Sequence, residues 1–352
     1  MTGLARPDHK IEVAGKTIEN GAVFIIAEMA CAHDGDFGKA KELICAASDA
    51  GVDAVQLQIF RAPANVVDHH RLRPVLDGIE FDAKQWALLV SESRARELPV
   101  FACAYDMPSL ELALDLGVDG IKFNSADLGN REMLELAAKS GVFFTLGTGA
   151  SRLDEIGKAL SIVLDSGGRR LVLMHGIQAF PTHIDKADIS RIAVLKQAFD
   201  SLVGYADHTD GDSAFAETID LIGLGAGACV LEKHFTLNRA DKGIDFQAAL
   251  NPDQLAGFVH RIHDGVRALG NGSPRPFDDD DLRYRQFQKK RIVASRALSG
   301  GTVITRSDID LLRTEDGEGM DASAMATVIG KKLRHPLERH ALVRLEGLDQ
   351  VG

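Results

Sequence analysis

Eight short apolar runs recur along this chain, and each is separated from the next by a segment with helical spacing of its apolar residues. The runs are FIIAEMA (24–30), AVQLQIF (54–60), VFACAY (100–105), GIKFN (120–124), VFFTLG (142–147), LVLMHG (171–176), LVGYADH (202–208) and CVLEKHF (229–235). Near-continuous apolarity over so few residues suits strands buried on both faces, as in a parallel sheet. The segments between them include FGKAKELICAASDAG (37–51), PSLELALDLG (108–117) and SRLDEIGKALSIVLDSGG (151–168), the last with a Ser cap and a Gly stop. A closing helix is expected in NPDQLAGFVHRIHDGVRALG (251–270). Eight such β–α alternations in about 250 residues match an α/β fold of the (β/α)8, or TIM, barrel type. The alternative, a doubly wound sheet, more often opens with a glycine fingerprint, which is absent here.

The rest of the chain divides around that barrel, expected over 23–270. Residues 1–22, with IEVAGKTIE, are expected to form a hairpin capping its lower end. The stretch NGSPRPFDDDDLRYRQFQKK (271–290) is rich in Pro, Gly and charge without an apolar period, and reads as a linker. Residues 291–352 read as a small β-rich domain. A net charge of −11 argues against non-specific binding to nucleic acid or acidic membranes. The four cysteines, Cys31, Cys45, Cys103 and Cys229, sit in apolar surroundings with no CxxC pair, which suits free thiols in a reducing compartment. With no signal-peptide core and no run long enough to span a membrane, a cytoplasmic protein is expected.

In such barrels the active site lies at the C-terminal ends of the strands. There the seventh run turns into YADHT and the eighth into EKHF, which sets His208 and His234 at comparable heights on neighbouring strands. Two imidazoles with coordination positions left open suit a divalent metal acting as a Lewis acid; the alternative is two hydrogen-bonded structural histidines. Glu28 closes the first run, Gln56 and Gln58 lie in the second, and Lys122, Ser125 and Asp127 follow in and after the fourth. Buried Lys and Glu are costly unless paired or used. A ring of them, one per strand, reads as a polar pocket for a charged small molecule. Lys122 with Ser125 makes a candidate anion grip, and LGTGAS (146–151) offers backbone N–H groups at a helix start.

The motifs FIIAEMACAHDGD, GVDAVQLQIF, IKFNSADLGN, GYADHTDG and VLEKHFTLNRADKGIDFQAAL resemble, in order and spacing, the sialic-acid (nonulosonate) synthase family. The tail KKRIVASRALSGGTVITRSDIDLLR resembles that family's C-terminal antifreeze-like (SAF) domain. The resemblance implies condensation of phosphoenolpyruvate (PEP) with an N-acylated amino-sugar aldehyde, giving a 3-deoxy-2-keto acid and phosphate for glycan biosynthesis. It implies that His208 and His234 hold Mn²⁺ or Mg²⁺, with Glu28 and Asp207 beside them as catalytic candidates. Lys122 and Ser125 fall on PEP-binding positions, while Gln58, Asp127 and Asp245, like Glu28, fall on positions facing the sugar or the transferred protons. Arg313 matches an arginine that enters the partner subunit's active site, which implies a homodimer whose small domains cap each other's barrels.

Five departures touch this pocket. Gln56 stands where the family has Lys, Gly147 and Ala206 stand in place of two serines, and Gln178 and Phe180 replace an Asn and a Tyr. Each lost charge-assisted contact costs about 1.5–3 kcal/mol. The insert RAPANVVDHHRLRP (61–74) holds Arg61, His69, His70, Arg71 and Arg73 as candidate replacements for the missing charge. Two other readings remain open: an aldolase in which Lys122 or Lys233 forms a Schiff base or the metal stabilises an enolate, and a non-catalytic barrel that binds a sugar or a partner protein.

Overall fold

Side chains alternate across a strand, so each apolar run has one set of residues for the inside of a barrel and another for the helices around it. The computed structural model describes residues 6–270, 272–315 and 318–349. It comprises two units, Met1–Gly272 and Ser273–Gly352. In the first, a hairpin of β1 (Lys10–Val13) and β2 (Lys16–Glu19) precedes eight strands. These are β3 (Phe24–Glu28), β4 (Ala54–Ile59), β5 (Val100–Ala104), β6 (Gly120–Phe123), β7 (Phe143–Gly147), β8 (Leu171–His175), β9 (Val203–Asp207) and β10 (Val230–His234). They close in the order β10-β3-β4-β5-β6-β7-β8-β9, every neighbouring pair parallel. The barrel expected from the eight runs is the one observed.

The alternation is visible in the packing. Ile25, Ala27, Leu57, Leu173 and Leu231 face outward into the helix layer. Phe24, Ile26, Phe101, Phe143, Val172 and Val230 face inward and fill the lower lumen. Ile11, Val13 and Ile18 of the hairpin join that inner cluster and close the barrel from below, each side chain stabilising by about 1.5–3 kcal/mol through burial.

The outer layer begins with α1 (Phe37–Ala50), which Asp36 caps by accepting from the Gly38 and Lys39 N–H groups, and which Gly51 ends at φ 77°. Two short helices, α2 (Ala62–Asn65) and α3 (Arg73–Ile79), fill the insert before α4 (Ala83–Ala95). Then come α5 (Met107–Asp115), α6 (Arg131–Ser140) and α7 (Leu153–Asp165). The cap of α7 falls on Arg152 and not on Ser151: Glu155 reaches back to the Arg152 N–H at 2.8 Å, so a carboxylate closes this end. The ring is completed by α8 (Arg191–Phe199), α9 (Ile219–Gly225) and α10 (Pro252–Leu269). Among the described residues no helix is long and apolar enough to cross a membrane.

The stretch read as a linker contains a helix, α11 (Asp279–Phe287), capped by Asp278. Three aspartates in its first turn complement the helix dipole. With no residue of this helix buried, it carries no apolar period for the sequence to reveal. The second unit pairs β11 (Arg291–Ala294) with β12 (Ile309–Leu312) and adds α12 (Met325–Val328). It has its own core around Ile292, Ile304, Ile309, Val328 and Val343.

A triad of charged side chains is buried outside the lumen. Lys233 points away from the barrel axis, donating to Asp207 at 2.5 Å and to Asp220 of α9 at 2.8 Å, with the ring of Phe258 from α10 5.2 Å away. Burial opposes ionising Asp207, but Lys233, Thr209 and Tyr205 outweigh it and hold its pKa below the usual value, while burial pushes Asp220 up to about 7. The triad ties β9, β10 and α9 together. Replacing Lys233 by Ala strands two carboxylates in the interior and is expected to cost about 3–5 kcal/mol in urea unfolding; a loss below about 1 kcal/mol would contradict the pairing.

Candidate functional site

The same period-two rule that fills the lower lumen with phenylalanines brings polar side chains inward two residues further on. Glu28, Gln56, Lys122 and Glu232 occupy this next layer, and all four are buried. Strands β6 and β10 lie on opposite sides of the closed barrel, so Lys122 spans the lumen to donate to Glu232 at 2.5 Å and to Glu28 at 3.2 Å. Gln56 donates to Glu28 and, at 3.1 Å, to Glu232. Burial alone would lower the Lys122 pKa, but Glu232 and Glu28 together raise it, and the amine stays protonated. Two carboxylates thus share one ammonium, a formal excess of one negative charge.

Above this layer the chamber opens as a cavity of 210 Å³. His208 and His234 stand on its wall with ring centres 5.1 Å apart and planes at 72°. The His208 Nδ1–H donates to the Ile177 carbonyl at 2.7 Å, an arrangement that leaves Nε2 free to coordinate. His234 Nδ1 is buried without a hydrogen-bond partner. Burial first, with the Lys122 ammonium as a further cause, lowers both imidazole pKa values, so the neutral form that can bind a metal is favoured. Nitrogen or oxygen atoms of His208, Glu232 and His234 all lie within 4.8 Å of one another. Phe180 leans over the pair, its ring centre 4.2 Å from that of His208.

Of the residues expected from the sequence, Gln58, Lys122, Gly147, Gln178, Phe180, His208, His234 and Asp245 line this cavity, with Glu28 and Gln56 directly beneath. Three others of the barrel unit, Asp207, Ser125 and Asp127, are not brought into it. Asp207 faces the helix layer with Lys233, because His208 takes the inward position and its neighbour on the strand must point away. Ser125 and Asp127 lie in a short 3₁₀ turn beyond β6, where Ser125 faces a separate depression between α6 and α7. The proposed Lys122–Ser125 grip is therefore not assembled within the cavity lining. Arg313 is exposed in the second unit, just after β12. No residue of the basic insert lines the cavity; Arg61 pairs with Glu80, and Arg73 with Asp68 and Asp77.

Glu232, Tyr105 and Asn124 were not singled out in the sequence. Glu232 precedes His234 by two residues, so period two alone places both inside the barrel. Tyr105 and Asn124 hydrogen-bond each other at 3.1 Å at the ends of β5 and β6 and line the cavity. The polar ending of each run was the available signal.

A lumenal site at the C-terminal strand ends of a (β/α)8 barrel, followed by a small β-rich unit, is the class these features define. Residues 43–274 match the model of the NeuB family and residues 290–349 that of the SAF domain. The chain belongs to the NeuB family and carries a SAF domain. It is 29% identical over 328 residues to N,N'-diacetyllegionaminic acid synthase of Legionella pneumophila, with 88% of this chain and 90% of that protein covered. To pseudaminic acid synthase of Helicobacter pylori it is 24% identical, covering 83% and 88%. The crystal structure of an N-acetylneuraminic acid synthetase from Leptospira borgpetersenii, in complex with citrate, superposes with a TM-score of 0.74 at 29% identity, over 80% of this chain and 97% of that one.

The departures from the family pattern are built into the backbone. A Cβ added at Gly147 would meet the Ser125 nitrogen at 2.9 Å and the Phe123 oxygen at 3.1 Å. Gly176, next to it across the barrel wall, would place a Cβ 2.8 Å from the Ala206 oxygen. A serine at 147 thus requires the 125–127 turn to move outward. Gly147→Ala is expected to destabilise by about 1–3 kcal/mol; a variant of unchanged urea midpoint would show that the turn yields freely.

Proposed function

We propose that this protein is a metal-dependent synthase that joins PEP to an N-acylated amino sugar or related sugar aldehyde, giving a sialic-acid-like 3-deoxy-2-keto acid and phosphate. The observation that carries this reading is the convergence of His208, His234 and Glu232 above a Lys122 that bridges Glu28 and Glu232. The names of the relatives support the same class of product.

The donor set fits a divalent cation such as Mn²⁺ or Mg²⁺. Two neutral imidazoles, one with an unpartnered buried nitrogen, and a carboxylate are hard-to-borderline ligands, and the formal excess of negative charge in the layer below favours a cation. His208, His234 and Glu232 would hold it, and it would supply Lewis-acid polarisation of a substrate oxygen. The chain's own groups do the rest. Lys122 commits two of its three N–H donors to Glu28 and Glu232 and keeps one for a substrate anion. Gln58, Asn124 and Gln178 offer neutral contacts that orient a polyhydroxylated substrate. Asp245 lines the cavity with its pKa raised, by burial first and by Glu28 next, which suits a group that holds or moves a proton at the mouth. Phe180 keeps water off the His208 face.

A Schiff-base aldolase draws no support from either lysine. Both stay protonated beside two carboxylates, and Lys233 is outside the lumen. We extend the reading to a cytoplasmic homodimer in which Arg313 of one copy contacts the acylamino group bound by the other.

The test is phosphate release from PEP with Mn²⁺ and a panel of six-carbon amino and deoxy sugars. Release that requires both metal and aldehyde is expected; none with any aldehyde would sink the proposal. Separately, Glu232→Gln is expected to weaken Mn²⁺ binding at least about tenfold by calorimetry, or about 1.4 kcal/mol, with the thermal midpoint retained. Unchanged affinity would remove Glu232 from the ligand set.

A further inference from the structure

The loops that follow the first and the last barrel strands hold each other through two carboxylates. Asp34, in the loop between β3 and α1, accepts the Ile244 N–H at 2.8 Å and the Lys39 ammonium at 2.5 Å. In the opposite direction, the Cys31 backbone lies near the Asp245 carboxylate and works against the burial that raises its pKa. Gly243 lies so near the Asp34 carboxylate that any Cβ there would overlap it. Asp245 itself adopts φ 62°, a left-handed conformation that is uncommon for a non-glycine residue, though aspartate tolerates it better than most. The bracing continues outward. Gly35, at φ 81°, packs so tightly that a Cβ would stand 2.5 Å from the Gly78 carbonyl of α3. Leu76 and Ile79 of α3 pack with Cys31 and Ile244.

We propose that Asp34 is a positioning residue, whose carboxylate latches the 243–245 turn so that Asp245 is held facing the cavity, with α3 bracing the loop that carries it. The geometry relates two features: the left-handed backbone of Asp245, and the close approach of Gly243 to the Asp34 carboxylate. The link to turnover rests on the proposed function, because only there does Asp245 act on substrate; the latch itself does not.

The experiment has two arms on the full chain. In hydrogen–deuterium exchange, Asp34→Ala is expected to speed exchange of the 243–246 amides at least about tenfold, a change of about 1.4 kcal/mol in local opening. Asp34→Asn keeps an acceptor oxygen for the Ile244 N–H and is expected to restore most of the protection. In kinetics, Asp34→Ala is expected to raise the aldehyde KM at least about tenfold while leaving the KM for PEP within about threefold, again with rescue by Asn. Gly243→Ala, which displaces the carboxylate from the other side, should reproduce both effects if Asp34→Ala fails to fold. Unaltered exchange in Asp34→Ala and Gly243→Ala overturns the latch. Faster exchange with unaltered aldehyde kinetics overturns the positioning role. A wild-type protein without turnover counts against the proposed function alone, since the exchange arm still decides the latch.

Discussion

A single ammonium shared by two carboxylates across the inside of the barrel is the constraint on which the rest of this site depends. Lys122 reaches from β6 to Glu232 and Glu28 on the far wall, and Gln56 binds the same two acids. Such a layer is expensive to bury: charges leave water, and the attraction between them compensates only with good geometry and full hydrogen bonding. A purely apolar filling would be cheaper. The layer also partitions the lumen. Below it lie aromatic and aliphatic side chains plugged by the hairpin; above it lies the chamber with both histidines.

Charge arrangement in the chamber follows from that layer. On the side formed by β7, β8 and β9, the wall is Gly147, Met174, Gly176 and Ala206, none of them charged. The formally negative side carries Glu28, Glu232 and Asp245. Gln56 is neutral, so Lys122 is the one positive charge in that layer. On the proposed reading, a highly charged anion would depend on the cation held by His208, Glu232 and His234. The glycines opposite cannot be exchanged for larger residues without moving the 125–127 turn or the Ala206 backbone. Thus the uncharged wall and its close packing are one property of the chain.

Alternation along two strands separates function from support within consecutive residues. On β9, His208 enters the chamber and Asp207 leaves it; on β10, Glu232 and His234 enter while Lys233 leaves. The outward pair finds its partner in Asp220 of α9 and stiffens the strand ends that carry the imidazoles. At the same rim, the loops after β3 and β10 interlock through Asp34 and Ile244. Chamber residues are therefore held by ion pairs and hydrogen bonds on the reverse side of their own strands and loops, which limits the freedom of groups that must act on a substrate.

The order of eight apolar runs and helical segments pointed to the barrel, because eight buried parallel strands alternating with helices, without a glycine fingerprint, match a closed barrel better than a doubly wound sheet. Polar residues at the run ends likewise marked His208, His234, Lys122 and Glu28 as chamber residues. The sequence could not say which of two adjacent polar residues faces in; Asp207 was misplaced for that reason, and Glu232 was overlooked beside His234. Nor could it show that Ser125 turns away, that Arg61 and Arg73 of the insert are taken up by local acids, or that Asp34 reaches a residue more than two hundred positions later. Those are outcomes of register and closure. Local pattern encodes how a segment buries itself, whereas which charge meets which across a lumen is decided only when the first strand pairs with the last.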